Sequence, residues 1–116
     1  MGFEYINVGK LDKYIGVPGV VIIDLREPSQ YAWYHFAGAV NVPFHQMENI
    51  LDKDGFDKNG NIIINGNTYN RSTHFIFYCE RGSLSMVIGS RMASLGYSAG
   101  TVVGGIRQYR GRNMVR

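Results

Sequence analysis

The stretch Phe75-Ile76-Phe77-Tyr78-Cys79-Glu80-Arg81-Gly82-Ser83-Leu84-Ser85 decides how this chain is read. Its first four residues are aromatic or β-branched, too few for a helix and suited to a buried strand. Cys79 follows at the strand's carboxyl end. Gly82 permits a tight turn, and a helical pattern opens near Ser85, with Ile88, Met92 and Leu95 on one face while Gly89 and Ala93 leave room for close packing. Gly96 supplies the stop. The order is strand, loop, helix.

Working outward, Val20-Val21-Ile22-Ile23 is another continuous apolar run, ending in Asp24. Pro28 is placed to open a short helix through Trp33 and Tyr34. Ala39 to Val42 reads as a strand stopped by Pro43, and Phe44 to Leu51 as a helix with Phe44, Met47 and Ile50 or Leu51 on one face. Downstream come the strand Thr101-Val102-Val103, a turn at Gly104-Gly105 and a short helix from Ile106 to Tyr109. Strands alternating with helices predict an α/β fold with a mainly parallel sheet. Residues 52–72 shift to Asp, Asn, Gly and Lys around Ile62-Ile63-Ile64 and then Asn65-Gly66, which predicts a hairpin-like surface insertion outside the core sheet. Asp57, Asn59 and Asn61 alternate as in a calcium loop, but Ile62 stands where the loop needs Gly and Thr68 where it needs Glu, so calcium is not expected.

Composition narrows the function. The 116 residues are 45% hydrophobic and 18% charged, the profile of one globular domain. No stretch approaches a membrane span, the start lacks basic and apolar leader regions, and Ile6 replaces the Ser or Thr of a myristoylation signal. A cytoplasmic protein with no membrane partner is expected. One cysteine allows neither an intramolecular disulfide nor a cysteine-rich zinc site. The net charge is +3, with Arg107, Arg110, Arg112 and Arg116 crowding the end. This reads as a solvated basic tail, and without interleaved aromatics no nucleic-acid partner is expected. No metal cluster, nucleotide loop or flavin motif stands in the sequence, so no cofactor is expected.

The position of Cys79 carries the chemistry. Ligands of open α/β sheets bind beyond the carboxyl ends of strands. A loop tightening at Gly82 into a helix points successive backbone N–H groups inward as an anion nest. Those dipoles, with Arg81 if it leans inward, stabilise a thiolate and make Cys79 a nucleophile at neutral pH. The bland alternative is a small buried filler. A filler needs neither a glycine three residues later nor a helix start six residues later.

The motifs Ile22-Ile23-Asp24-Leu25-Arg26-Glu27 and His35-Phe36-Ala37-Gly38-Ala39-Val40-Asn41-Val42-Pro43 resemble the paired amino-terminal signature of rhodanese domains. Tyr78 to Ser85 resembles the family's active-site loop, and Leu95-Gly96-Tyr97 with Val103-Gly104-Gly105-Ile106 its closing segments. The resemblance implies a single domain over residues 1–116, a three-layer α/β/α sandwich around a five-stranded sheet. It also implies a sulfurtransferase. Cys79 would take sulfane sulfur as a persulfide from thiosulfate, or from a protein or small-molecule persulfide, and pass it to a thiophilic acceptor such as cyanide or a protein thiol. The amides of Arg81, Gly82, Ser83, Leu84 and Ser85 would hold the donor, with Glu80 and Arg26 completing the substrate site.

Asp24 and His35 are read as structural, Arg26 as either pairing with an acid or facing the cleft, and Trp33, Tyr31 and Tyr109 as core aromatics. Glu80 and Leu84 depart from the family pattern and lower the loop's positive character, which directs expectation from thiosulfate towards persulfide donors. The cysteine-phosphatase pattern needs Arg six positions after the nucleophile. Ser85 stands there, so phosphate-ester hydrolysis is disfavoured. The reading from another class is a non-catalytic module that binds a partner or senses oxidants through Cys79.

Overall fold

The apolar runs pair as a parallel sheet because each can bury both faces. In the computed structural model, which describes residues 2–53 and 55–116, the chain runs as follows. Strand β1 (Phe3–Asn7) leads through a 3-10 helix (Val8–Tyr14) to β2 (Val20–Asp24), α1 (Pro28–Trp33), β3 (His35–Phe36), β4 (Val40–Asn41) and α2 (Phe44–Asp52). Then come β5 (Ile62–Ile64), β6 (Asn67–Tyr69), β7 (His74–Tyr78), α3 (Ser83–Ser94), β8 (Ser98–Val103), a second 3-10 helix (Ile106–Gln108) and β9 (Met114–Val115). Met1, and Asp54 within the predicted insertion, lie outside the described residues.

The central sheet has five strands in the order β1-β8-β7-β2-β4, and every neighbouring pair is parallel. Alternation along β7 divides two cores. Phe75 and Phe77 join Ile23, Met47, Ile88 and Met92 under α2 and α3. Ile76 and Tyr78 join Ile22, Leu11, Phe36 and Ile106 on the opposite face. Gly89 of α3 crosses the sheet where an added Cβ would stand 2.6 Å from the Phe3 ring, so close packing depends on its missing side chain.

Several expectations need correction. β1 went unread, because Glu4 and Asn7 break its apolar run. The last core strand starts at Ser98 instead of Thr101, and the strand before Pro43 shrinks to Val40–Asn41. α3 begins at Ser83, and Leu95 caps its end in an exposed position instead of joining the core face. The Asn65-Gly66 turn does make a separate two-stranded sheet, with both residues at positive φ. Yet its Ile62 and Ile64 are buried in the core under α2 and α3, so the insertion is part of that core as well as surface. Asp57 is spent inside the segment, accepting from the Asn59 and Asn61 amides at 2.9 Å each.

The arginine-rich end is not a free tail. Met114 and Val115 pair with β3, and the Arg116 guanidinium lies 5.4 Å over the Tyr34 ring. At the amino ends of the strands His74 joins the Ser98 hydroxyl at 2.6 Å and Glu4 at 3.0 Å, linking β7, β8 and β1 far along the sheet from Cys79. Among the described residues no helix is long and apolar enough to cross a membrane.

Candidate functional site

β7 ends at Tyr78, and the next residue turns out of the sheet. Cys79 therefore stands at the carboxyl edge, 4% exposed. Its Sγ accepts from the Gly82 amide at 3.1 Å and the Ser85 amide at 3.4 Å. Gly82 holds φ +100, which glycine adopts at little cost, and it caps the twelve-residue α3. The sulfur thus faces the positive end of a helix dipole and two directed N–H groups.

A buried hydroxyl pair lies behind the sulfur. The thiol reaches the Ser85 hydroxyl at 3.7 Å, and Ser85 shares a 2.6 Å hydrogen bond with Thr101 of β8. Both residues have no exposed surface. Ser85 was expected to act through its amide alone, and Thr101 was read only as a strand residue. Their pairing depends on how β8 lies against α3.

The loop is propped from beneath by the Gly104-Gly105 turn. The Ile106 amide donates to the Cys79 carbonyl at 2.9 Å and the Arg107 amide to the Glu80 carbonyl at 3.2 Å. Gly105 packs so tightly that an added Cβ would collide with the Glu80 carbonyl and the Arg81 amide. Sequence reasoning saw the pair as a turn and missed this contact.

An ion cluster fixes the opposite wall. Asp24, wholly buried, accepts from the Arg26 amide at 2.8 Å, from Arg26 Nε and Nη2, and from the Tyr78 hydroxyl at 2.8 Å. Arg26 also donates to the Tyr34 carbonyl and, at 3.5 Å, to Glu80. Burial opposes the Arg26 charge, but the Asp24 hydrogen bonds and charge outweigh it and hold the guanidinium above its usual range. Burial, then the Asp24 carboxylate, pushes the Tyr78 phenol far above its usual range. Arg26 therefore both pairs with acids and borders the cleft. His35 stacks on Tyr31 at 3.8 Å between ring centroids and bonds the Tyr31 carbonyl, a fixing role for the turn.

A pocket of about 270 Å³ opens over Cys79, walled by Leu25, Phe44 and Leu84 with Arg26, Glu27, Gln30, His45 and Glu80. Arg81 and Ser83 are exposed, and neither side chain lines it. Arg81 does not lean over the sulfur. Trp33 is 68% exposed, which corrects its reading as a core aromatic, because α1 is a six-residue surface helix with no buried residue. Tyr31 and Tyr109 are partly buried and pack against the core around Phe36. A hollow of about 310 Å³ near the start of β2 is lined by Val17, Val20 and Tyr69 and holds no nucleophile. Among the described residues no group of His, Cys, Asp and Glu is arranged to hold a metal ion.

A parallel α/β sheet that presents a cysteine on a helix-capping amide loop defines a class of thiol-bearing α/β domains. Residues 7–112 match the family model described as Rhodanese-like domain, and the chain belongs to that family. It is 34% identical over 93 residues to the thiosulfate:glutathione sulfurtransferase of Saccharomyces cerevisiae, covering 78% of this chain and 60% of that protein. It is 31% identical over 81 residues to the tRNA sulfurtransferase of Pyrobaculum aerophilum, covering 70% of this chain and 14% of that one. The matched segment is thus only part of each relative. A solved structure from Staphylococcus saprophyticus superposes with a TM-score of 0.72 at 21% identity over 97% of this chain and 99% of that one, a likeness of fold.

Proposed function

We propose that the protein is a rhodanese-type sulfurtransferase in which Cys79 carries sulfane sulfur as a persulfide. One observation carries the reading: Sγ of Cys79 accepts the Gly82 and Ser85 amides at the floor of a pocket of about 270 Å³. Two amides and a helix N-terminus aim directed N–H groups and a positive dipole end at the sulfur, where a bound anion would sit. In the first half-reaction the Cys79 thiolate attacks the outer sulfur of the donor. With thiosulfate, the donor S–S bond breaks and sulfite leaves with the electron pair. In the second, an acceptor nucleophile takes the outer sulfur and the Cys79 thiolate leaves.

The remaining loop amides, those of Arg81, Ser83 and Leu84, hold the donor's anionic group, with Glu80 and Arg26 at the mouth. The donor is thiosulfate or a protein or small-molecule persulfide. The Saccharomyces relative is named for transfer from thiosulfate to glutathione, which makes a low-molecular-weight thiol the first acceptor to try alongside cyanide and protein thiols. The proposed setting is the cytoplasm.

The 4% exposure of Cys79 favours a second reading, a module that binds a partner or senses oxidants without turnover. Intact mass after donor treatment separates the two. One added sulfur that requires Cys79, is absent in Cys79→Ser and leaves with cyanide supports the transferase. No adduct with thiosulfate or an organic persulfide supports the module.

A further inference from the structure

We propose, resting on the persulfide reading, that the acceptor is a thiol carrying a cationic group, an ammonium or guanidinium, and that Glu80 and Trp33 select it.

The charge pattern at the mouth is the starting point. Of the side chains lining the pocket, Glu27 and Glu80 are acidic and Arg26 is the one fixed cation. Arg26 is already matched by the buried Asp24, whose carboxylate takes its Nε and Nη2 donors. Among the described residues the Glu80 carboxylate is paired with Arg26 at a long 3.5 Å, and its side chain is 46% exposed. Arg81, the cation nearest in sequence, is exposed and is not among the residues that line the pocket. The loop amides suit a bound anion, whereas the outer rim at Glu27 and Glu80, beyond those amides, favours a positive charge.

Aromatic surface points to the same ligand class independently. A hollow of about 260 Å³ adjoins the pocket, sharing Arg26, Gln30 and Glu80 and adding Trp33 and Tyr34. Trp33 is 68% exposed, although nothing in the packing of α1 requires a large aromatic there. An indole face beside a carboxylate is a cation site. The neighbouring Tyr34 ring already accepts one, the Arg116 guanidinium at 5.4 Å. A two-carbon aminothiol with its sulfur at Cys79 directs its ammonium towards Glu80. The acceptor thiolate attacks the outer sulfur, the S–S bond to Cys79 breaks, the Cys79 thiolate leaves, and the product is the acceptor's persulfide.

The test uses cysteamine and 3-mercaptopropionate, which share a two-carbon thiol skeleton and differ in the sign of the terminal charge. The protein is loaded with inorganic polysulfide, the added sulfur on Cys79 is verified by intact mass, and single-turnover transfer to each acceptor is timed. Each acceptor is compared only with itself across variants, which cancels its intrinsic reactivity. Glu80→Gln is expected to slow cysteamine about three- to fivefold and to speed 3-mercaptopropionate by a similar factor. Glu80→Lys speeds 3-mercaptopropionate above wild type, and Trp33→Ala slows cysteamine alone by about twofold or more. Equal changes for both acceptors in the Glu80 variants overturn the inference while leaving the persulfide reading standing. Failure to load sulfur on Cys79 removes that reading and this inference with it.

Discussion

The Tyr78 hydroxyl donates to the buried Asp24 carboxylate at 2.8 Å and accepts from the Phe36 amide at 3.0 Å, joining β7, the end of β2 and β3 through one oxygen. The two residues are register partners on adjacent parallel strands. The contact anchors the wall that carries Arg26, and so the mouth of the pocket.

Tyr78→Phe leaves the Phe36 amide without its acceptor and removes one donor from Asp24. A loss of about 1–3 kcal/mol is expected in urea unfolding at neutral pH. Asp24→Asn leaves the largely buried Arg26 charge without its counterion and should cost about 3 kcal/mol or more. The tyrosine also sets an alkaline limit. Its folded phenol keeps a proton that the unfolded chain begins to lose near pH 10.0, so unfolding releases a proton and stability falls as pH rises beyond that point. Unfolding midpoints followed from pH 9 to 11.5 should decline less steeply in Tyr78→Phe than in wild type.

Gly105→Ala drives a methyl group into the backbone of the Cys79 loop at a position held at φ +79. It should cost roughly 1–3 kcal/mol in strain. Sulfur loading of Cys79 should fall more than stability alone explains, since the displaced atoms are those of Glu80 and Arg81. Normal loading in a destabilised variant would show that the turn supports the fold and not the loop.

Ser85→Ala keeps the amide that faces Sγ and removes the hydroxyl between Sγ and Thr101. Transfer from the loaded protein should slow about three- to tenfold, the value of one neutral hydrogen bond. Thr101→Val removes the hydroxyl that Ser85 bonds and should act in the same direction with a smaller effect. Stopped-flow measurement of both variants and the double variant would show non-additive losses if the pair works as a unit.

Ile64→Ala removes a side chain that is 2% exposed from the insertion. A loss of about 2–5 kcal/mol is expected on thermal or urea unfolding. A change under 0.5 kcal/mol, as for an ordinary surface site, would return the segment to a surface excursion.

Much of the site was legible because it is local. Cys79, Gly82 and Ser85 lie within seven residues, and a buried strand followed by a glycine turn and a helix leaves that cysteine little choice but the strand's carboxyl edge. The parallel sheet was legible for a similar reason, since Val20 to Ile23 and Phe75 to Tyr78 are apolar on both faces. β1 was not, because an edge strand tolerates Glu4 and Asn7 and loses the pattern that announces a core strand.

What the amino-acid order determined by itself was therefore the α/β class, the family signatures and the place of Cys79 at a strand end before a glycine turn and helix, all set by short-range periodicity and turn chemistry. Tertiary structure alone decided which distant groups meet. Gly105 lies under Glu80, Thr101 stands behind Ser85, and Arg26, already paired with Asp24, meets Glu80 at the mouth. Those contacts arise from strand order β1-β8-β7-β2-β4, which brings together segments separated by up to tens of residues. Strand order depends on which pairings bury the most surface together, a property of the whole sheet that no single stretch of sequence contains.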